Sequence, residues 1–133
     1  MSLIQLLEFD QKGDERGTLV ALESLKNIPF AIQRVYYLVS LDAKQPRGFH
    51  AHKQLKQVAI CLSGSCTFVM DDGHDKEDII LQSPAVGLYI AEMMWHEMSN
   101  FSKDCVLMVL ASDYYDESDY IRCYHEFKKR AAL

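Results

Sequence analysis

The sequence predicts an all-β sandwich or barrel closed by one C-terminal helix, on three observations. Its 133 residues leave room for one domain, assigned to residues 1–133. Short runs of β-branched, aromatic and aliphatic residues follow one another, punctuated by turn residues, with no linker, repeat or low-complexity stretch. Only near the end does the hydrophobic period change from that of a strand to that of a helix.

The elements follow in chain order. Residues 18–22 form a first strand, entered through Arg16-Gly17. Residues 32–39 form the next, because Val35, Tyr36, Tyr37 and Leu38 suit a pleated surface. Residues 48–52 and 57–62 come next, then a turn at Ser63-Gly64. Residues 65–70 run to Asp71-Asp72-Gly73, a hairpin signal. Strands at 78–81, 87–91, 95–98 and 105–111 complete a set spaced closely enough for an all-β sandwich or barrel. Residues 116–130 are read as the helix. Tyr120, Ile121, Tyr124 and Phe127 share a helical face, acidic residues crowd the start, and Lys128, Lys129 and Arg130 complement the dipole at the end.

Composition narrows the function classes. Hydrophobic residues make up 49% and charged residues 25%, ordinary for a globular protein. A net charge of -5 argues against a general nucleic-acid binder, which needs a basic face. Residues 1–9 are too short and acidic for a signal peptide, and no apolar run approaches a membrane span. The four cysteines, Cys61, Cys66, Cys105 and Cys123, show no metal-binding or redox spacing. Two of them sit in apolar runs, so reduced, buried thiols of a cytoplasmic protein are expected.

Two of the five histidines stand in Gly48-Phe49-His50-Ala51-His52. On a strand, residues two apart share a face at roughly 6–7 Å, so both imidazoles enter one cavity. His74 and His125 read as solvated, Trp95 as core or pocket wall, and Tyr114-Tyr115 as packing where the helix begins. The spacing of His50, His52, Gln57 and Gly64 resembles the first motif of the cupins, jelly-roll-like β-barrels. His96 and Asn100 resemble the end of the second, with Ala91 and Met93 where that motif has proline and glycine. A typical metal cupin adds a carboxylate, here replaced by neutral Gln57, which brings no charge to offset an ion. Metal-free acid–base chemistry is therefore expected, with no metal and no cofactor.

A narrower resemblance rests on Arg34-Val-Tyr-Tyr37, Pro46-Arg-Gly-Phe-His-Ala-His52, Gly64-Ser-Cys66, Ser83-Pro-Ala-Val-Gly-Leu-Tyr89, Trp95-His-Glu97 and Leu110-Ala-Ser-Asp-Tyr-Tyr-Asp-Glu117. These segments resemble the dTDP-4-keto-6-deoxy-glucose 3,4-ketoisomerases, which serve the making of 3-amino-3,6-dideoxyhexoses. The resemblance implies a cupin barrel, catalytic roles for His50 and His52, no metal, and a homodimer that exchanges its N-terminal strands (residues 1–23). It also makes Arg16 a phosphate contact from the exchanged strand.

Moving a ketone from C4 to C3 needs a base for the C3 proton, an acid for C4, and donors for the enediolate oxygen. Histidine serves both proton transfers near neutrality. Arg47 and Tyr37 are the expected oxygen donors, with His96 as a third pocket residue. Arg34 and Arg47 alternatively hold the diphosphate, since the guanidinium fork matches phosphate oxygens. Three rivals stay open: a nucleotide-sugar 3,5-epimerase, a metal-dependent cupin, and a non-enzymatic sugar-binding barrel.

Overall fold

The computed structural model describes residues 2–133. Twelve strands run β1 (Leu6–Glu8), β2 (Lys12–Asp14), β3 (Gly17–Leu19), β4 (Arg34–Leu38), β5 (Arg47–His52), β6 (Gln57–Ser63), β7 (Cys66–Asp71), β8 (Lys76–Leu81), β9 (Val86–Ile90), β10 (Trp95–Ser99), β11 (Val106–Ala111) and β12 (Tyr120–Ile121). A single helix, α1 (Tyr124–Ala131), follows. Two five-stranded sheets, β1-β9-β6-β11-β4 and β12-β5-β10-β7-β8, pair antiparallel throughout, and strands close in sequence often lie in opposite sheets. This is the expected all-β, jelly-roll-like architecture of a cupin with one C-terminal helix. Among the described residues, no helix is long and apolar enough to cross a membrane.

Alternation along the strands explains the packing. Ala59 and Cys61 of β6, Phe68 and Met70 of β7, Leu88 and Ile90 of β9, and Leu107 and Val109 of β11 meet between the sheets. The opposite face of β6, Val58 and Ile60, is covered by Phe9, Ile28 and Phe30 from the N-terminal segment. Residues 57–61 are thus buried without interruption, which is why β6 reads as a continuous apolar run rather than an alternating one. On the outside of the other sheet, Ala51, Trp95, Ile121 and Phe127 form a third cluster beneath α1. Trp95 is therefore outer core and not pocket wall.

The β7–β8 hairpin forms where Asp71-Asp72-Gly73 predicts it. Gly73 adopts φ +95°, and a Cβ there would meet the Ala131 Cβ at 2.5 Å, so only glycine lets α1 approach. Tyr124 donates from its hydroxyl to the buried Asp71 carboxylate at 2.6 Å, which ties α1 to the end of β7.

Two expectations need correction. The first strand is not residues 18–22: β3 ends at Leu19, and β1 and β2 precede it. Between Gln11 and Leu19 every residue is exposed, and among the described residues the β2–β3 hairpin pairs with neither five-stranded sheet. The helix does not span 116–130 either. Asp116 caps a 3-10 turn at Glu117–Asp119, accepting from the Ser118 amide, and Tyr120 and Ile121 then pair with His52 and Ala51 of β5. An open strand edge outcompetes the helical period there, because two-residue alternation sends Tyr120 inward and Ile121 into the third cluster. Only Tyr124–Ala131 remains helical.

Candidate active site

β5 carries His50 and His52 to one face, with ring centroids 5.0 Å apart and nearly perpendicular. His96, on β10, lies 4.7 Å from His50, and Tyr120 of β12 sits 5.0 Å from His50 and 4.3 Å from His52. These rings sit at one end of the space between the sheets. There a cavity of 270 Å³ is bordered by His50, His96, Tyr36, Arg34, Arg47 and Gln57. A second cavity of 360 Å³ adjoins it beside His52, sharing Arg34, Tyr115 and Tyr120 as its walls.

Local backbone geometry aims these groups. The β5–β10 register pairs His96 with His50 but Met98 with Arg47, so Phe49 is an extra, unpaired residue. Gly48 (φ +90°) and Phe49 (φ +61°) form this bulge, and a Cβ on Gly48 would meet the His96 carbonyl at 2.9 Å. Strict alternation would point Arg47 away from the side His50 faces; the bulge restores it to the cavity. Met93 stands where the cupin pattern has glycine, and it adopts glycine's left-handed conformation at φ +57°. Its amide donates to the His52 carbonyl at 2.7 Å, so the turn holds the histidine strand despite the substitution.

The imidazoles differ in their partners. His50 Nδ1 lies 3.1 Å from the Gly48 carbonyl, and His96 Nδ1 lies 3.1 Å from the Met94 carbonyl. A carbonyl only accepts, so in both rings Nδ1 carries the proton and Nε2 keeps its lone pair. Burial pushes the His50 imidazole below its ordinary range, and pushes His52 and His96 each down to about 3. All three are neutral near pH 7 and able to accept a proton. Gln57, only 1% exposed, accepts from the Tyr36 hydroxyl at 2.5 Å, and burial raises that phenol to about 12.

This donor set fits a divalent ion poorly. The carboxylate position is a neutral amide whose oxygen is engaged by Tyr36. Among the described residues, the three metal-ligating side chains whose ligand atoms gather within 4.8 Å are Cys61, Cys66 and Cys105, not the imidazoles. The cysteine cluster lies four residues along β6 from Gln57, on the order of 13 Å away, and its thiols are free and buried. Burial raises Cys61 to about 11 and Cys66 further still, which keeps these thiols protonated.

Of the residues singled out in the sequence, His50, His52, His96, Arg34 and Arg47 meet around the adjoining cavities. Arg34 crosses the Tyr36 and Tyr115 rings at 5.1 and 5.8 Å, and its buried Nε has no hydrogen-bond partner. Tyr37 is not part of the site. It is 70% exposed on the opposite face of β4, whereas Tyr36 points inward. Arg34 and Tyr37 are three apart on a regular strand and cannot share a face, a signal that favours Tyr36. Arg16 stands on the exposed β2–β3 hairpin, paired with Asp14 at 2.6 Å, and does not reach this chain's cavity. The sequence reading also missed Tyr120 and Asp119, which a 116–130 helix would have carried elsewhere, and it took Tyr115, a wall of both cavities, for packing alone. At the cavity mouth Arg122 stacks on Tyr120 at 4.1 Å and forms an ion pair with Glu117 at 2.9 Å.

Known proteins are similar to this chain over nearly its whole length. A "TDP-4-oxo-6-deoxy-alpha-D-glucose-3,4-oxoisomerase" from Aneurinibacillus thermoaerophilus is 58% identical over 128 residues, covering 96% of this chain and 92% of that one. A crystal structure of a 3,4-ketoisomerase from Helicobacter canadensis is 49% identical, with a TM-score of 0.96 and full coverage of both chains (100% each). A sugar 3,4-ketoisomerase from Thermoanaerobacterium thermosaccharolyticum, solved with TDP, is 44% identical with a TM-score of 0.95, over 97% of this chain and 94% of that one. The same enzyme has been solved as a histidine-to-asparagine variant with TDP-4-keto-6-deoxyglucose. The family model described as "FdtA: WxcM-like, C-terminal" matches residues 2–132, and to that family this chain belongs.

Proposed function

We propose that this protein is a nucleotide-sugar 3,4-ketoisomerase that converts TDP-4-keto-6-deoxyglucose to a TDP-3-keto-6-deoxyhexose. The observation that carries the reading is the pair of neutral imidazoles 5.0 Å apart on one face of β5. It occurs in a chain 58% identical to a named oxoisomerase of that substrate. One imidazole takes the C3 proton, and its electron pair forms the C3–C4 double bond as O4 becomes an enediolate oxygen. O4 then takes up a proton, the hydroxyl proton on O3 is lost as a proton returns to C4, and the ketone stands at C3. Protons and electrons balance within the substrate, so no external oxidant is required. Arg47, Arg34 with its unpaired Nε, and His96 are assigned to the sugar oxygens and the diphosphate. The 3-ketone is the functional group that amination to a 3-amino-3,6-dideoxyhexose requires.

Incubation with TDP-4-keto-6-deoxyglucose in deuterated buffer containing EDTA, followed by NMR, tests this. The expected product carries solvent deuterium at C4 and none at C5. Label at C5 would favour a 3,5-epimerase, absence of turnover a sugar-binding barrel, and recovery only on adding a divalent ion a metal cupin.

Assembly and location belong to the same reading. The β2–β3 hairpin, with Leu19 60% exposed, gains a sheet only if it docks on a second subunit, since a lone hairpin is marginal in water. The exchanged dimer would also bring Arg16 to a partner's site. Light scattering is expected to give a dimer, and a chain lacking the β2–β3 hairpin a monomer, β1 and Phe9 being kept because they pack in this chain's own sheet and core; a monomeric intact chain would refute the exchange. The nucleotide-linked substrate and the protonated, buried thiols suit the cytoplasm.

A further inference from the structure

His50 and His96 each place Nδ1 on a backbone carbonyl, but His52 does not. Its Nδ1 is buried without a hydrogen-bond partner, an arrangement that costs free energy unless something completes it. The Asp119 carboxylate faces it, with Oδ2 3.3 Å from Nδ1. Asp119 is itself fixed: the Gln54 amide donates to Oδ1 at 2.9 Å and the Leu55 amide to Oδ2 at 3.3 Å. Its own carbonyl accepts from the Lys53 amide at 3.0 Å. The 3-10 turn thereby grips the loop that leaves His52, and one carboxylate oxygen is presented to the ring.

We propose that Asp119 is a positioning residue for His52, holding the proton on Nδ1 and stabilising the imidazolium when Nε2 accepts a proton from the sugar. This rests on the ketoisomerase reading and assigns a residue to it. The other charged or titratable groups around His52 supply no such partner. His50 on β5, Arg34 on β4 and Arg122 beyond β12 disfavour a positive ring, and His96 on β10 stacks at 6.2 Å. Tyr120 packs against its face. Glu117 is paired with Arg122, Asp116 caps the 3-10 turn, and Asp113 accepts from Ser112. Asp119 is the carboxylate in contact. Burial first, and then the neighbouring His50, Arg34 and Arg122, push His52 down to about 3, and Asp119 is the contacting group whose charge favours the protonated ring.

The test is Asp119→Asn, which keeps one oxygen for the Gln54 amide but removes the charge. Imidazole ¹⁵N NMR of the intact protein is expected to show His52 protonated at Nδ1 in the wild type. In the variant that preference is lost, while His50 and His96 keep their Nδ1–H tautomers. In turnover, kcat is expected to fall about 10- to 100-fold with KM changed less than about threefold. Loss of the carboxylate makes the protonated ring less favourable, so the acid limb of the pH–rate profile moves to lower pH. Asp119→Ala removes anchor and charge together; if its kcat is no lower than that of Asp119→Asn, the charge and not the anchor carries the effect. An Nε2–H tautomer for wild-type His52 overturns the proposal, as does an Asn variant with unchanged kcat, pH limb and tautomer. Absence of isomerase activity in the wild type, with the tautomers as expected, refutes the ketoisomerase reading and leaves the Asp119–His52 pair standing.

Discussion

Replacing His50 or His52 with asparagine is expected to lower kcat by at least about 100-fold while nucleotide affinity stays within about threefold. The asymmetry follows from where the rings sit. Both border the adjoining cavities, one on a carbonyl-fixed tautomer and the other against Asp119. The diphosphate is assigned to arginines that these substitutions leave in place. Asparagine preserves a polar group of similar reach but cannot exchange a proton near neutrality. His96→Asn should cost less, because His96 is assigned to support. The two primary variants should also separate in isotope exchange: one abolishes C3 proton loss, the other still exchanges C3 without forming product. Steady-state kinetics and NMR exchange check this. If kcat is nearly intact in both, or if only nucleotide binding weakens, the two imidazoles line the cavity without doing its chemistry.

The second large effect is on stability. Phe127 is the buried residue of α1, fully enclosed at 0% exposure against Trp95, Ile121 and Ala51. Phe127→Ala removes an aromatic ring from a closed cluster and is expected to cost about 3–5 kcal/mol. That corresponds to a fall in Tm on the order of 10 °C. Because the cluster includes Ile121, next to Tyr120, activity on heating should disappear together with the third cluster. Leu133→Ala, at a fully exposed position, serves as a control and should change nothing measurable. Urea denaturation followed by circular dichroism is the measurement. A loss below about 1 kcal/mol would show that α1 is peripheral to the fold.

How far the sequence reveals this protein can be judged element by element. The strands from residue 34 to residue 111 were legible because their alternation or apolar continuity is strong and their turns carry Gly, Asp and Ser. His50 and His52 were legible for the same reason: a spacing of two on a strand has one geometric outcome. The N-terminal strands were not, since every side chain from Gln11 to Leu19 is exposed and no burial pattern marks them. Tyr120 and Asp119 were hidden because a helical period and a capping pattern coincide with a segment whose structure is decided by the free edge of β5. Tyr37 was mistaken for its neighbour although its spacing from Arg34 puts those two on opposite faces; packing of β4 beside β11 turns Arg34 and Tyr36 inward. Arg47 reaches the cavity through a bulge that alternation cannot foresee.

The pieces that complete the cavity, Asp119 and Tyr120, come from the last part of the chain, after both sheets have received their other strands. During synthesis from the N-terminus, the barrel can therefore assemble before its chemistry exists. Until Tyr120, Ile121 and Phe127 have left the ribosome, β5 presents an uncovered edge at His52 and Ala51, and Ala51 and Trp95 lack the partners that bury them. The same short segment that makes the protein competent also retires its most adhesive surface. A chain truncated before Tyr120 would be not merely inactive but prone to self-association.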